Sequence, residues 1–255
     1  MPRQGRSKSK TGIYHVMVRG INRQNIFEDD EDRQKYLAIL QKTKEISQCE
    51  FYGYCLMRNH VHMLVREGKE GISQIMKRVG VSYAYWYNEK YERRGHLFQD
   101  RYRSESIEND SHFLSVLRYI HQNPLKAELV NSIDEYPWSS YKTYIAGNTP
   151  GLVNTDFALG LLGVQAGEVL SYYIQFMSEP NHILYLEDTE KKKWTDAEVR
   201  YELIKLMADR PVSTLNTMGK NERDEILRKL KAIEGISIRQ IAKITALGRN
   251  IVANA

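Results

Sequence analysis

FYGYCLMRNHVHMLV, Phe51 to Val65, decides the fold. Two β-prone runs flank the pair Arg58-Asn59. Asn tolerates a positive φ, so the pair predicts a two-residue turn and the runs an antiparallel hairpin. Alternate residues of a strand share a face. His60 and His62 therefore project together, while Val61 and Met63 project the other way.

The neighbouring segments extend this hairpin into a domain. GIYHVMVRG, before it, alternates and predicts a strand. Glu28 to Ile46 predicts an amphipathic helix with Tyr36, Leu37, Leu40 and Ile46 on its apolar side. Beyond the hairpin, Gly71 to about Lys90 predicts a second helix, and GHLFQDRYRSESI reads as extended. Asn109-Asp110 caps a third helix, SHFLSVLRYIHQN, which Pro124 is expected to end. The order strand, helix, strand, strand, helix, strand, helix predicts an α+β fold, an antiparallel sheet with helices on its faces. A helical tail follows to residue 180, and the charged run EDTEKKK reads as a solvated linker. The expected organisation is a basic arm at 1–11, an α+β domain at 12–180, a linker at 181–194 and an all-α region at 195–255.

Composition narrows the function classes. The 255 residues are 42% hydrophobic, enough for a packed core. No run of 18 apolar residues occurs, so no membrane-spanning segment is expected. The start MPRQGRSKSK is basic but lacks the apolar stretch of a secretory signal. Cys49 and Cys55 stand six apart, not in a metal-type CxxC, and a reduced, cytoplasmic protein is the simplest expectation. Residues 1–150 hold 23 Lys and Arg against 18 Asp and Glu, whereas residues 151–255 hold 14 of each. A basic first part with 17 tyrosines in the chain favours nucleic acid, since cations meet phosphates and rings stack on bases.

Two imidazoles on one strand face suit a shared metal ion, or are merely two histidines at a strand end. A third ligand must come from elsewhere. On the third helix Phe113, Leu117 and Ile120 form a core stripe. Tyr119 and Asn123, at i and i+4, share a flank with His112. Alone, this pair reads as a tyrosine at the core margin and a helix-ending asparagine. Combined with HxH and a basic surface, it points to phosphodiester chemistry. A divalent ion held by His60, His62 and Asn123 would polarise the scissile phosphate, with Tyr119 as nucleophile. His121 faces away and reads as a packing or surface residue, and His15 as structural. His96 and His112 are weaker candidates for the site. Arg19, Arg23, Arg58, Lys77, Arg78, Arg93, Arg94, Arg101 and Arg103 are candidate phosphate contacts, and Asn59 is assigned to the turn.

The segments GIYHVMVRGINRQNIF, CLMRNHVHMLV, GHLFQDRYRS and YIHQNPLKAELV resemble the successive motifs of the HUH single-tyrosine transposases. The spacing of Tyr119 and Asn123, with Asn where other members have Gln, resembles the REP-associated tyrosine transposase branch. The tail GLVNTDFALGLLG is also similar to that branch, and the main match runs from about residue 12 to 145. The resemblance implies a ferredoxin-like sheet and a Mg²⁺- or Mn²⁺-dependent enzyme that nicks and rejoins single-stranded or hairpin DNA from repeated palindromes. It implies that His60 and His62 are the paired ligands and Asn123 the third. It also implies that Tyr119 becomes joined to a 5′-phosphate. Imidazole ligands suit Mn²⁺ better than Mg²⁺. Relatives include dimers and monomers, so either a monomer or a homodimer fits. The alternative function is a regulator that binds DNA or RNA on this fold without cleaving it.

GISIRQIAKITALGRNIVANA, at the C-terminus, predicts a helix-turn-helix. Ile236, Ile238, Ile241 and Ala242 would pack inward, Ala246-Leu247-Gly248 would turn, and Arg249 would open a DNA-reading helix. A plain helical bundle is the competing expectation.

Overall fold

Alternation along β1 (Ile13–Arg19) assigns the two faces of the sheet. Tyr14, Val16 and Val18 enter one hydrophobic core, with Val61, Met63 and Val65. Ile13 and Leu64 enter the other, with Cys55 and Met57. The computed structural model describes residues 8–147, 151–165, 167–181, 194–208, 210–233 and 235–255. The basic arm is described only from Lys8, and most of the expected linker, residues 182–193, lies outside the described residues.

The elements follow in the order β1, α1 (Asp30–Ser47), β2 (Glu50–Met57), β3 (His60–Arg66), α2 (Ile72–Lys90), β4 (Arg103–Ile107) and α3 (Asp110–Lys126). The sheet is antiparallel in the order β2-β3-β1-β4. This βαββαβ path with its two inner strands β3 and β1 is a ferredoxin-like arrangement. Helices α1 and α2 cover the Val16 face through Tyr36, Leu40, Ile75, Val79 and Tyr83. Helix α3 covers the other through Phe113, Val116, Leu117 and Ile120. Three short helices, α4 (Tyr141–Ile145), α5 (Thr155–Gly160) and α6 (Val169–Ser178), extend that second core.

Local chemistry explains several boundaries and corrects others. Asp29 caps α1 and forms a reciprocal capping box with Asp32. Asn109 caps α3 by accepting from the His112 N–H at 2.8 Å. Pro124 does not end α3, which runs on to Lys126. The N–H groups of Ala127 and Leu129 still find the carbonyls of Asn123 and Pro124, so the missing proline donor is tolerated near the helix end. Ile46 is 46% exposed rather than packed, because the buried side of α1 follows Asp32, Tyr36, Leu40, Thr43 and Ser47. GHLFQDRYRSESI is a strand only from Arg103. Before that it crosses the end of β1 irregularly, with Leu97 O accepting from Ile21 N and Gln99 N donating to Arg19 O. The turn at Arg58-Asn59 forms, but neither residue takes a positive φ. Its carbonyls are instead occupied by the N–H groups of Gly20, Ile26 and Phe27.

A second compact unit begins at Thr189 and is described from Trp194. It contains α7 (Asp196–Leu206), α8 (Lys220–Ala232), α9 (Ile238–Thr245) and α10 (Arg249–Asn254). Leu203, Leu227, Leu230, Ile241 and Val252 make its core. Helices α9 and α10 are joined through Ala246, which takes a left-handed φ of 57°, Leu247 and Gly248. Ile241 packs inward as expected, but Ile238 is 41% exposed. Ile244 packs instead, because the inward side of α9 runs through Ile241, Ile244 and Thr245. No helix among the described residues is long and apolar enough to cross a membrane.

Candidate metal and strand-cleavage site

His60 and His62 share the α3 face of β3, their ring centroids 5.1 Å apart. His62 has no exposed surface and His60 is nearly buried. The Nδ1 of each ring meets a neighbouring side chain. His60 Nδ1 meets Asn59 Oδ1 at 2.7 Å, and His62 Nδ1 meets His15 Nε2 at 3.0 Å. An outer partner on the second ring nitrogen is the usual way to orient a metal-binding imidazole.

Tyr119 is buried against these rings, with its centroid 5.4 Å from His62 and 5.8 Å from His15. Asn123 follows one helical turn later and is 4% exposed. It is not the helix cap, which is Ala127. Its side-chain Nδ2 is buried with no hydrogen-bond partner. Amide O and N positions exchange by a simple flip, and the flipped Asn123 would place a carbonyl oxygen there. Two imidazole nitrogens and an amide oxygen are a chemically suitable donor set for Mn²⁺ or Mg²⁺. Among the described residues no group of three His, Cys, Asp or Glu is placed to hold a metal.

Lys126 was not anticipated, yet its Nζ sits 4.7 Å from the Tyr119 ring centroid. Its position about two turns beyond Tyr119 is a signal only once the helix is known to pass Pro124. Asn59 does more than close the turn, since it also bonds Arg23 O and His60. His15 belongs to the site's surroundings, and so does Glu105, directly opposite it on β4. His112 reaches Glu105 at 3.4 Å. His121 is a packing residue, as expected, but wholly buried. It bonds Ser140 Oγ at 2.8 Å and Tyr173 OH at 2.9 Å, and burial pushes its imidazole down to about 3.

The predicted phosphate contacts divide. Arg19 is opposite His60 in the sheet, Arg58 is in the adjoining turn, and Arg23 is in the loop that Asn59 bonds. Arg23 and its neighbour Asn22 have positive φ values of 61° and 50°, strained for side-chain-bearing residues. Arg103 is opposite Met17 on β4. Arg93 bonds Gln24 Oε1 and stacks on Tyr87, and Arg94 is exposed beside it. Arg78 is tied to Glu70 at 2.5 Å. Lys77, Arg101 and His96 line a separate cavity of about 760 Å³ between α2 and residues 95–102, floored by Val18 and Tyr36. That floor belongs to the α1/α2 side of the sheet, away from His60. Arg249 is exposed at the start of α10 in the second unit.

The family model described as "Transposase IS200 like" matches residues 8–123. That segment of the chain is similar to the IS200-like transposases. The matched segment includes all four strands and ends at Asn123, so it contains His60, His62 and Tyr119. Among solved structures, the REP-associated tyrosine transposase bound to a REP hairpin is similar over 61% of this chain and 90% of its own. The TM-score is 0.50 and the identity 20%, a likeness of fold. A transposase candidate from Deinococcus radiodurans R1 aligns at 17% identity and a TM-score of 0.34, over 48% of this chain and 97% of that one. No curated protein matches the chain.

Proposed function

We propose that this chain is an IS200-like transposase that cleaves and rejoins one DNA strand at a hairpin, through Tyr119. The observation that carries this is the packing of Tyr119 against His62, with Asn123 one turn further and its side-chain Nδ2 buried without a hydrogen-bond partner. The REP hairpin in the similar solved structure supports hairpin DNA as the ligand class.

His60, His62 and Asn123 would hold the divalent ion, with Mn²⁺ suited to the imidazoles. When bound, that ion supplies Lewis-acid polarisation of the scissile phosphate. The Tyr119 oxygen forms a bond to phosphorus as the bond from phosphorus to the 3′-oxygen breaks. The phenol proton passes through solvent to the departing oxygen, leaving a 3′-hydroxyl and a 5′-phosphotyrosine. Attack by a 3′-hydroxyl reverses the step with the same number of bonds and no energy input. Lys126 puts an ammonium beside the ring as negative charge develops on it. Arg19, Arg23 and Arg58 lie at the His60 end of the hairpin and are proposed to hold phosphates. In the second unit, α9 and α10 are proposed as a helix-turn-helix with Arg249 toward duplex DNA.

Labelled hairpin DNA with Mn²⁺ tests the proposal. A covalent adduct is expected with the wild-type chain. Tyr119→Phe should abolish it and leave hairpin affinity nearly unchanged. An undiminished adduct in that variant overturns the assignment of the nucleophile.

A further inference from the structure

The cavity on the α1/α2 face of the sheet combines apolar walls, aromatic rings and exposed cations. Its volume of about 760 Å³ is that of a small-molecule pocket. Met76, Leu97 and Phe98 line it, with the Tyr102 ring beside them. Tyr102 OH and Ser73 Oγ are 2.9 Å apart, which holds that ring in place. Lys77 and Arg101 line it with exposed positive charge. Asp100 supplies an opposing carboxylate, whose Oδ1 accepts from the Arg101 N–H at 2.8 Å.

Two further features point to a ligand. Tyr36 lines the cavity and has no exposed surface, and its hydroxyl has no hydrogen-bond partner among the described residues. Buried polar groups are nearly always paired. Burial also pushes the ionisation of this phenol upward, so it stays a donor. Gly80 stands in the interior of α2, where glycine costs helix stability. Its missing side chain leaves room beside Phe98, since an added Cβ would stand 4.0 Å from Phe98 Cε2. The cavity wall also borders the proposed cleavage site. Gln99 N donates to Arg19 O and Ile21 N to Leu97 O, each at 2.9 Å, and Arg19 is opposite His60 in the sheet. His60 and this wall are thus two strand spacings apart, ~10 Å. A DNA strand leaving His60 reaches the cavity by crossing residues 97–101.

We infer that this cavity holds one unpaired nucleotide of the DNA strand that flanks the hairpin. The base lies among Phe98, Tyr102 and the space left by Gly80, the Tyr36 hydroxyl donates to it, and Lys77 and Arg101 meet its phosphates. Rings with cations beside them fit a planar base on an anionic tether. Aromatic faces accept any base, so the site adds affinity before it adds sequence preference. The inference rests on the reading of hairpin DNA as the ligand.

Fluorescence anisotropy of the full-length chain compares a blunt hairpin with the same hairpin carrying a short unpaired tail, 5′ or 3′. One of the tails should tighten binding about tenfold. An abasic site in that tail should remove most of the gain, and so should Gly80→Met, whose flexible chain fills the cavity. Phe98→Ala should do the same and cost nothing further on the abasic tail. Tyr36→Phe should cut the gain about fivefold. No gain from either tail, or a gain that survives both the abasic site and Gly80→Met, overturns the inference. Thymidine monophosphate that competes as well as the tail would make a free nucleotide the ligand and overturn the strand as its source. Adduct formation with Mn²⁺ is read on the same DNA. An adduct without a tail effect overturns this inference alone, whereas a tail effect without an adduct supports it and counts against the cleavage reading.

Discussion

Asn59 Oδ1 lies 2.7 Å from His60 Nδ1, so a turn residue also orients an imidazole of the proposed site. The same amide donates to Arg23 O at 3.2 Å, which ties the loop after β1 to the hairpin. Asn59→Ala should weaken Mn²⁺ binding about tenfold, since removal of an outer partner frees the ring to rotate. Calorimetric titration with Mn²⁺ checks this, and affinity equal to wild type would mean the bond orients nothing.

Lys126 over the Tyr119 ring is expected to act on the chemical step. With hairpin DNA saturating, Lys126→Ala should slow adduct formation about fivefold, the equivalent of ~1 kcal/mol for a cation beside an aromatic ring. Single-turnover measurements separate this from DNA affinity. A loss confined to affinity would make Lys126 a phosphate contact.

His121 gives a pH signature unconnected with catalysis. Its imidazole stays neutral down to about 3 in the fold, whereas an unfolded histidine titrates near ~6.5. Between these values the unfolded chain binds a proton that the folded chain refuses. Its contribution to stability is therefore complete above about pH 6.5 and is lost as pH falls toward 3, at up to ~1.4 kcal/mol per pH unit. Urea unfolding across pH 7 to 4 reads the slope, and proton-detected NMR should show a neutral His121 ring at pH 5. A cationic ring at pH 5 would contradict the expectation.

Asp32 joins α1 to the end of α2. Its fully buried carboxylate accepts from Glu28 N at 2.6 Å, Lys90 Nζ at 2.9 Å and Tyr91 OH at 2.9 Å. Asp32→Ala should cost ~3 kcal/mol, because it leaves these donors behind and removes half of a capping box. The urea midpoint measures the loss, and a change under ~1 kcal/mol would show that water replaces the carboxylate.

Gly20 admits no side chain. A Cβ there would sit 2.2 Å from Gln24 O, a backbone atom, while Gly20 N holds Asn59 O at 2.9 Å. Gly20→Ala should destabilise the fold by ~2 kcal/mol and disturb the turn before His60. Amide exchange at Gly20 and Phe27 reports that disturbance, and unchanged protection would show that the loop absorbs the methyl group elsewhere.

Much of this molecule is legible from local pattern. HVHMLV carries its own alternation, so the shared face of His60 and His62 follows from strand geometry. Tyr119 and Asn123 share a flank because a helix repeats every 3.6 residues. Errors arose where long-range bonding overrode local preference. Pro124 failed to stop α3 because later N–H groups kept their acceptors, and Arg58-Asn59 turned without a positive φ because a distant loop took up its carbonyls. His15 read as structural because nothing near it in the chain reveals what lies across the sheet.

The sequence by itself determined which side chains can face together within each element, because strand and helix periods are properties of a few consecutive residues. Only the tertiary structure decided which elements meet. Pairing β1 with both β3 and β4 set Glu105 against His15 and His15 beside His62, and packing of α3 brought Tyr119 to those rings. These juxtapositions join residues separated by about 50 to 100 positions. They are fixed by strand register and burial of two cores, which no local pattern encodes.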